Sequence, residues 1–236
     1  WAVLYLCFVR QTDGRDKAMK LVQYSLKVLL WLALHRPRDA RLRKRLSALV
    51  SAFSSTRKMI RLTHWVEPLK NLVEWSASGV PITLGVLNDF FDDVYCLCRI
   101  KCLPKRFEHV SERWSLWCWY IGLWIDLHSN LMDQLRIRAQ IRKQTRLLTH
   151  ATTKQSQTAT LTWQMSDDAA QCQEEIDAKL ATLREKEYWL RVSGGKLLGD
   201  FAFCTYDLFN WSFSDGWPAM TGLASGVLSS HKLWVK

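Results

Sequence analysis

The chain has 236 residues, 33 Lys+Arg against 22 Asp+Glu for a net charge of +11, and thirteen tryptophans. That length allows one large domain or two small ones, and a mean hydropathy of −0.13 fits a globular or peripheral-membrane protein and excludes a compact polytopic transporter. So much tryptophan suits an aromatic core or the water–lipid interface, while a basic balance alone points equally to nucleic acid or to an anionic membrane.

The charge sits in the first quarter. Residues 1–62 hold 14 Lys+Arg and 3 Asp+Glu, whereas residues 63–236 hold 19 of each. Trp1–Val9 is apolar with no basic segment before it, and reads as an amphipathic lead-in rather than a signal peptide. A first helix is expected from Asp13, with Asp16 three residues on as an approximate capping box. Asp16, Lys20, Gln23 and Lys27 recur at steps of 4, 3 and 4 as a polar stripe, and Leu21, Val22, Leu26, Val28, Leu29 and Leu32 cover most of the remaining circumference. Pro37 ends this helix and Asp39 caps a second, where Leu42, Leu46, Leu49, Val50, Phe53 and Ile60 form an apolar stripe amid Arg and Lys; Pro68 closes the pair.

A basic, apolar hairpin of this kind prefers the boundary of an anionic bilayer to a nucleic-acid duplex, because its wide apolar face must also leave water. Each basic residue near such a surface contributes ~1 kcal/mol. Lipid binding is therefore assigned to Arg15, Lys17, Lys20, Lys27, Arg41, Lys44, Arg45, Arg57, Lys58 and Arg61, and membrane insertion to Leu21, Val22, Leu26, Leu29 and Leu32. The expected partner is anionic lipid, with no nucleic acid.

A third helix is expected near Pro81, with Phe90, Phe91, Val94, Leu97 and Cys98 on one face. Asn88, Asp89, Asp92 and Asp93 share the other, an acidic stripe suited to packing on the basic hairpin. Ser111 to about Thr149 reads as one long helix. Its stretch Trp114–Ile125 is apolar all round but too short to cross the hydrocarbon layer, which needs about 20 residues. Asp126 and His128 then mark either a polar pathway or, the favoured reading, a water-facing side; Arg136, Arg138, Arg142, Lys143 and Arg146 follow as a basic flank. Residues 150–166 read as a polar linker, Asp167–Leu190 as a charged amphipathic helix, and Gly194-Gly195 as its break.

Toward the end, Asp200 and Asp207 share a helical face, placed to line a bundle interior or to meet basic loops. Trp217–Trp234 is the best spanning candidate: uncharged before Lys232, about 27 Å long at 1.5 Å per residue, and carrying Gly222-x-x-x-Gly226 as a self-association face.

Catalytic and metal signals are weak. Seven cysteines form no disulfide framework, which points to a reducing compartment. Cys96, Cys98, Cys102 and His109 invite a zinc reading, but positions two apart on a helix diverge, so semi-buried thiols fit better. No phosphate loop, nucleophile elbow or triad order appears. The expectation is a protein that is not an enzyme, with no cofactor and no metal.

Four stretches in order carry a resemblance. They are Gly14-Arg15-Asp16-Lys17 through Leu21-Val22-Gln23-Tyr24; Ser55-Thr56-Arg57-Lys58-Met59-Ile60-Arg61-Leu62; Asp89-Phe90-Phe91-Asp92-Asp93-Val94-Tyr95 with Glu112-Arg113-Trp114 beyond it; and Gly222-Leu223-Ala224-Ser225-Gly226-Val227-Leu228-Ser229-Ser230 before Trp234. Together they resemble the peroxin-11 family of peroxisomal membrane-elongation proteins, over most of the chain except roughly 150–190. The resemblance implies a peroxisomal membrane protein with cytosolic termini that remodels the membrane through its first helix. It also implies homo-oligomers and cooperation with the fission machinery, a dynamin-related GTPase and its membrane adaptor.

The expected fold is all-α: an amphipathic helical hairpin plus long helices, one to three of them membrane-embedded. Its parts are the hairpin at 1–68, central helices at 69–149, the linker at 150–166, a charged helix at 167–193 and an anchoring region at 194–236. Membrane remodelling is the expected function; the alternative is an oligomeric channel for small metabolites, with Asp126, Asp200 and Asp207 facing its lumen.

Overall fold

Polar residues of the first segment recur every three or four positions, and a helix forms there, Thr12–Leu34 (α1). The computed structural model describes residues 12–34, 40–62, 79–158, 166–211, 214 and 216–235. Within them follow Ala40–Ile60 (α2), Gly79–Arg99 (α3), a 3-10 turn at Lys105–Phe107, Glu108–Thr158 (α4), Ser166–Leu208 (α5) and Gly216–Val235 (α6), with no strand among the described residues. The all-α expectation holds. The lead-in Trp1–Val9 and the breaks at Pro37 and Pro68 lie outside the described residues.

Two helix ends close by the same device. After α3, Lys101 turns left-handed (φ 66°), Cys102 N–H donates to Leu97 O at 2.9 Å and Lys101 N–H to Cys98 O at 3.0 Å. After α5, Asn210 (φ 49°) plays that part, with Trp211 N–H donating to Tyr206 O at 3.1 Å. Both are Schellman closures, which satisfy carbonyls that the last turn leaves open. Asparagine tolerates the conformation; lysine holds it at a cost of ~1–2 kcal/mol.

The described residues fall into two compact units. One takes α1, α2, α3, α4 up to Leu127, α5 from Gly195, and α6; the other is His128–Gly194. In the smaller unit α4 and α5 run antiparallel. Asn130 Nδ2 and Gln134 Nε2 donate to Leu190 O, Arg138 pairs with Glu187 at 3.0 Å, and Leu180 is buried.

The larger unit is a closed circuit of helices. Arg57 of α2 donates to Asp16 and Gln23 of α1, both at 2.9 Å. Lys58 of α2 pairs with Asp92 of α3 at 3.0 Å, so the acidic stripe does meet the basic hairpin. Ser115 of α4 donates to Asn88 of α3, and Trp114 stacks on Phe91. Tyr120 of α4 stacks on Phe201 of α5 with centroids 5.2 Å apart. From α5, Gly199 lies against Thr221 O and Ser225 of α6, and α6 returns to α1 with Gly222 against Tyr24.

Three expectations are corrected. The region read as a linker is helical as far as Thr158, and 159–165 lie outside the described residues. The Gly194-Gly195 break does not occur, because α5 runs through both glycines. Each costs ~1 kcal/mol relative to alanine in a helix, but the missing Cβ is used: at Gly194 it would lie 2.8 Å from Asn130 Oδ1, and at Gly195 3.2 Å from Leu228. Finally, no helix among the described residues is long and apolar enough to cross a membrane, so the span expected at Trp217–Trp234, and any other among the one to three embedded helices, is not found. In α6 the reason is Thr221, Ser225, Ser229, Ser230, His231 and Lys232, which dilute its apolar side.

Candidate functional site: a charged cavity within an apolar exterior

Helix α1 sits with its polar stripe turned inward. Gln23 is 4% exposed while Leu29 is 53% exposed, and Val22 and Leu32 are also exposed. In water this orientation leaves large aliphatic side chains solvated, at roughly 1.5–3 kcal/mol each relative to full burial. It becomes favourable where the surroundings are apolar and the interior supplies polar partners.

The interior does supply them. A cavity of about 700 Å³ lies inside the circuit, and all six helices line it. On its α1 wall, Lys20 Nζ lies 3.1 Å from Asp200 Oδ1 and donates to Ser225 Oγ at 3.0 Å, while Ser225 Oγ donates to Asp200 at 2.5 Å. Burial pushes the Lys20 ammonium below the ordinary lysine range, and Asp200 only partly offsets it. Two turns further, Lys27 Nζ lies 4.8 Å above the Tyr24 ring and 5.8 Å from that of Phe203. Its pKa is also lowered by burial, with Asp207 pulling the other way. On the α2–α3 wall, Lys58 sits 3.9 Å over the Tyr95 ring while pairing with Asp92, and Arg61 approaches the same carboxylate at 3.8 Å.

Nine Lys and Arg side chains and five Asp and Glu line this space. The sequence reading assigned five of those cations, Lys20, Lys27, Arg57, Lys58 and Arg61, to lipid headgroups. The structure gathers them around the cavity, where Asp16 of α1, Asp92 of α3 and Asp200 and Asp207 of α5 also lie. Lys17 lines it too. Arg15, Arg41, Lys44 and Arg45 remain on the surface. Of the insertion set, Val22, Leu29 and Leu32 are exposed, and Leu21 and Leu26 are half-buried.

Gly222 and Gly226 are both buried inside the chain. A Cβ at Gly222 would overlap the Tyr24 ring, and one at Gly226 would meet Leu21 at 3.4 Å. The close approach that these glycines permit is made with α1. Asp200 and Asp207 line the cavity, whereas Asp126 and His128 are exposed. Cys96, Cys98, Cys118 and Cys204 are buried thiols, Cys102 is exposed, and no cluster of metal ligands forms among the described residues.

Sequence reasoning passed over Ser225 and Lys196. Serine in an apolar helix is a faint signal, and Lys196 after two glycines lacks the other elements of a phosphate loop. The i, i+4 relation of Lys196 to Asp200 was the available clue, since it puts both on one face of α5.

The outer surface of this unit is rich in exposed large apolar residues. On α4 they are Trp114, Trp117, Ile121 and Trp124, at helical spacing; on α6, Trp217, Met220, Val227 and Trp234; on α5 and just after it, Leu198, Phe209 and Trp211. On α4 the exposed residues recur at heptad-like spacing and share one helix face, and apolar surface of this kind marks a partner or a lipid phase rather than water.

Comparison with known proteins gives one family. The model of Peroxisomal biogenesis factor 11 (PEX11) matches residues 3–234. No curated protein and no solved structure matches significantly.

Proposed function

The chain belongs to the peroxisomal biogenesis factor 11 family, and from that premise we propose that it elongates the peroxisomal membrane by inserting the apolar exterior of its helix circuit into one leaflet. The family's role is peroxisomal membrane biogenesis and proliferation, and it is not a family of enzymes. The observation that carries the finer reading is the inverted α1, with Val22, Leu29 and Leu32 outward and Lys20, Gln23 and Lys27 inward. Insertion under the headgroups expands one leaflet and favours curvature. Arg41, Lys44 and Arg45, exposed on α2, supply the attraction to anionic lipid, and in this proposal elongation precedes fission by a dynamin-related GTPase with its adaptor.

The full chain should co-sediment with vesicles containing phosphatidylserine and draw them into tubules, and brominated acyl chains should quench its tryptophans. Val22→Asp with Leu29→Asp and Leu32→Asp should abolish tubulation. Equal tubulation by that triple variant, or no binding by the full chain, would overturn the reading.

A second reading is favoured by the cavity itself. A polar space lined by six helices, with apolar residues outside, is also the plan of a solute path. Planar-bilayer conductance that changes on Asp207→Asn supports this path; absence of conductance removes it.

A further inference from the structure

Two helices cannot close a core by themselves, because the seam between them stays open along its sides. In the smaller unit, the contacts of Asn130, Gln134 and Arg138 with α5 fix the inward side of α4, which Ile137, Ile141 and Leu148 continue. Ile176, Leu180 and Leu183 oppose them on α5, and of these six aliphatic residues only Leu180 is buried. About a quarter turn from the seam, each helix carries a second stripe at steps of three and four. On α4 it is Leu131, Leu135, Arg138, Arg142, Thr145 and Thr149; on α5 it is Glu174, Asp177, Ala181, Arg184 and Tyr188. Both stripes are displaced from the seam in the same rotational sense, which puts them on one side of an antiparallel pair of right-handed helices. Leu131, Leu135 and Tyr188 are about half exposed there, and a groove of about 380 Å³ runs along α4 from Ile141 to His150. Arg142 and Arg146 on α4 and Glu174 and Asp177 on α5 are exposed, and none of the four makes an ion pair or side-chain hydrogen bond among the described residues.

We propose that this side of the hairpin binds the same side of a second copy of the chain, the two hairpins closing as a four-helix bundle. Heptad-like spacing on both helices is the pattern that such packing uses. Charge selects the arrangement. A two-fold axis parallel to the helices lays α4 of each copy over α5 of the other, so cations meet carboxylates. A perpendicular axis lays α4 on α4, where Asp133 is the single carboxylate between His128 and Thr158. Within one hairpin Arg138 is level with Glu187 and Gln134 with Leu190. Counted on at equal rise from those contacts, Arg146 comes level with Ala178 and Leu135 with Trp189. In the first arrangement Arg146 therefore faces Asp177 of the second copy and Leu135 faces its Tyr188, each contact being made twice. The charged contacts set the register, and the leucines and tyrosine leave water. None of these residues carries the membrane reading, and Gly222 and Gly226 are taken up within the chain.

Sedimentation velocity of the full chain in dodecyl maltoside reads the mass directly, and the parent should be a dimer. Arg146→Glu and Asp177→Arg should each be monomeric at the same protein concentration, since either change sets two like-charged pairs in the interface. Their equimolar mixture should regain the dimer, because both contacts between the two variants then join opposite charges. That recovery also shows that each variant is folded, and circular dichroism of each should match the parent. Lys186→Glu, exposed on the opposite side of α5, should stay dimeric. The proposal is overturned if the parent is monomeric, if the single variants stay dimeric, or if their mixture stays monomeric. With a monomeric parent, loss of phosphatidylserine-vesicle binding on Leu131→Asp with Leu135→Asp would assign this face to lipid instead.

Discussion

Lys20 of α1 and Asp200 of α5 are 180 positions apart in sequence and meet at 3.1 Å, their side chains 16% and 11% exposed. Ser225 of α6 bonds to both, so three helices converge on one polar point. Paired charges withdrawn from water are stable only while each has its partner. Removing the carboxylate with Asp200→Ala should therefore cost about 3–5 kcal/mol, because the Lys20 ammonium is left buried. Replacing both, as Lys20→Met with Asp200→Leu, should recover most of that loss. Urea unfolding of the three variants against the parent measures it.

Two glycines predict opposite signs. At Gly222 a Cβ would run into the Tyr24 ring, whereas at Gly85 nothing lies within 4 Å. Gly222→Ala should destabilise by about 1–3 kcal/mol through overpacking. Gly85→Ala should stabilise by about 0.5–1 kcal/mol through helix propensity and a less flexible unfolded chain. Thermal melts of the two variants, recorded side by side, should move in opposite directions.

Alkaline pH should loosen the larger unit. Burial pushes the Tyr24 hydroxyl up from 10.0 to about 12 and the Cys204 thiol up from 9.0 to about 12. A folded pKa above the unfolded one contributes stability that is complete below the unfolded value and is lost as pH rises toward the folded one. The contribution of these two groups should thus hold to pH 9, then fall by about 1.4 kcal/mol per pH unit for each titrating group. Lys20 and Lys27 oppose this fall, since their lowered pKa values favour the folded state as pH rises. Cys204 acts first and Tyr24 joins above pH 10. The variant Cys204→Ala should delay the onset by about one unit; an unchanged onset in denaturation curves from pH 8 to 12 would count against it.

Charge on α2 should act on lipid and not on the fold. Arg41, Lys44 and Arg45 are exposed, and α2 has no buried residue. At ~1 kcal/mol per basic residue near an anionic surface, their joint replacement by Gln should weaken binding to phosphatidylserine vesicles on the order of 100-fold. The loss should shrink as salt is raised, since screening already weakens the parent. Vesicle sedimentation at two ionic strengths reads both effects, with the melting temperature as the control.

Much of the fold was legible because helical periodicity is local. Asp16, Lys20, Gln23 and Lys27 share a face on any helix, and the structure keeps them together. The acidic stripe on α3 likewise implied a basic partner, and Lys58 is that partner. The family was legible too, from four short patterns in order. Gly194-Gly195 was misread because propensity treats glycine as a breaker, whereas packing against Asn130 and Leu228 uses the space that it leaves.

The sequence by itself determined which residues travel together: one stripe of cations and carboxylates and one of aliphatic side chains on each amphipathic helix. Only the tertiary structure decided which stripe faces in. Periodicity is unchanged when a helix is rotated about its axis, so a lysine stripe can point at lipid phosphates or at a neighbouring helix. Asp200 and Ser225, brought from about 200 residues away, turn Lys20 inward and leave Leu29 outside.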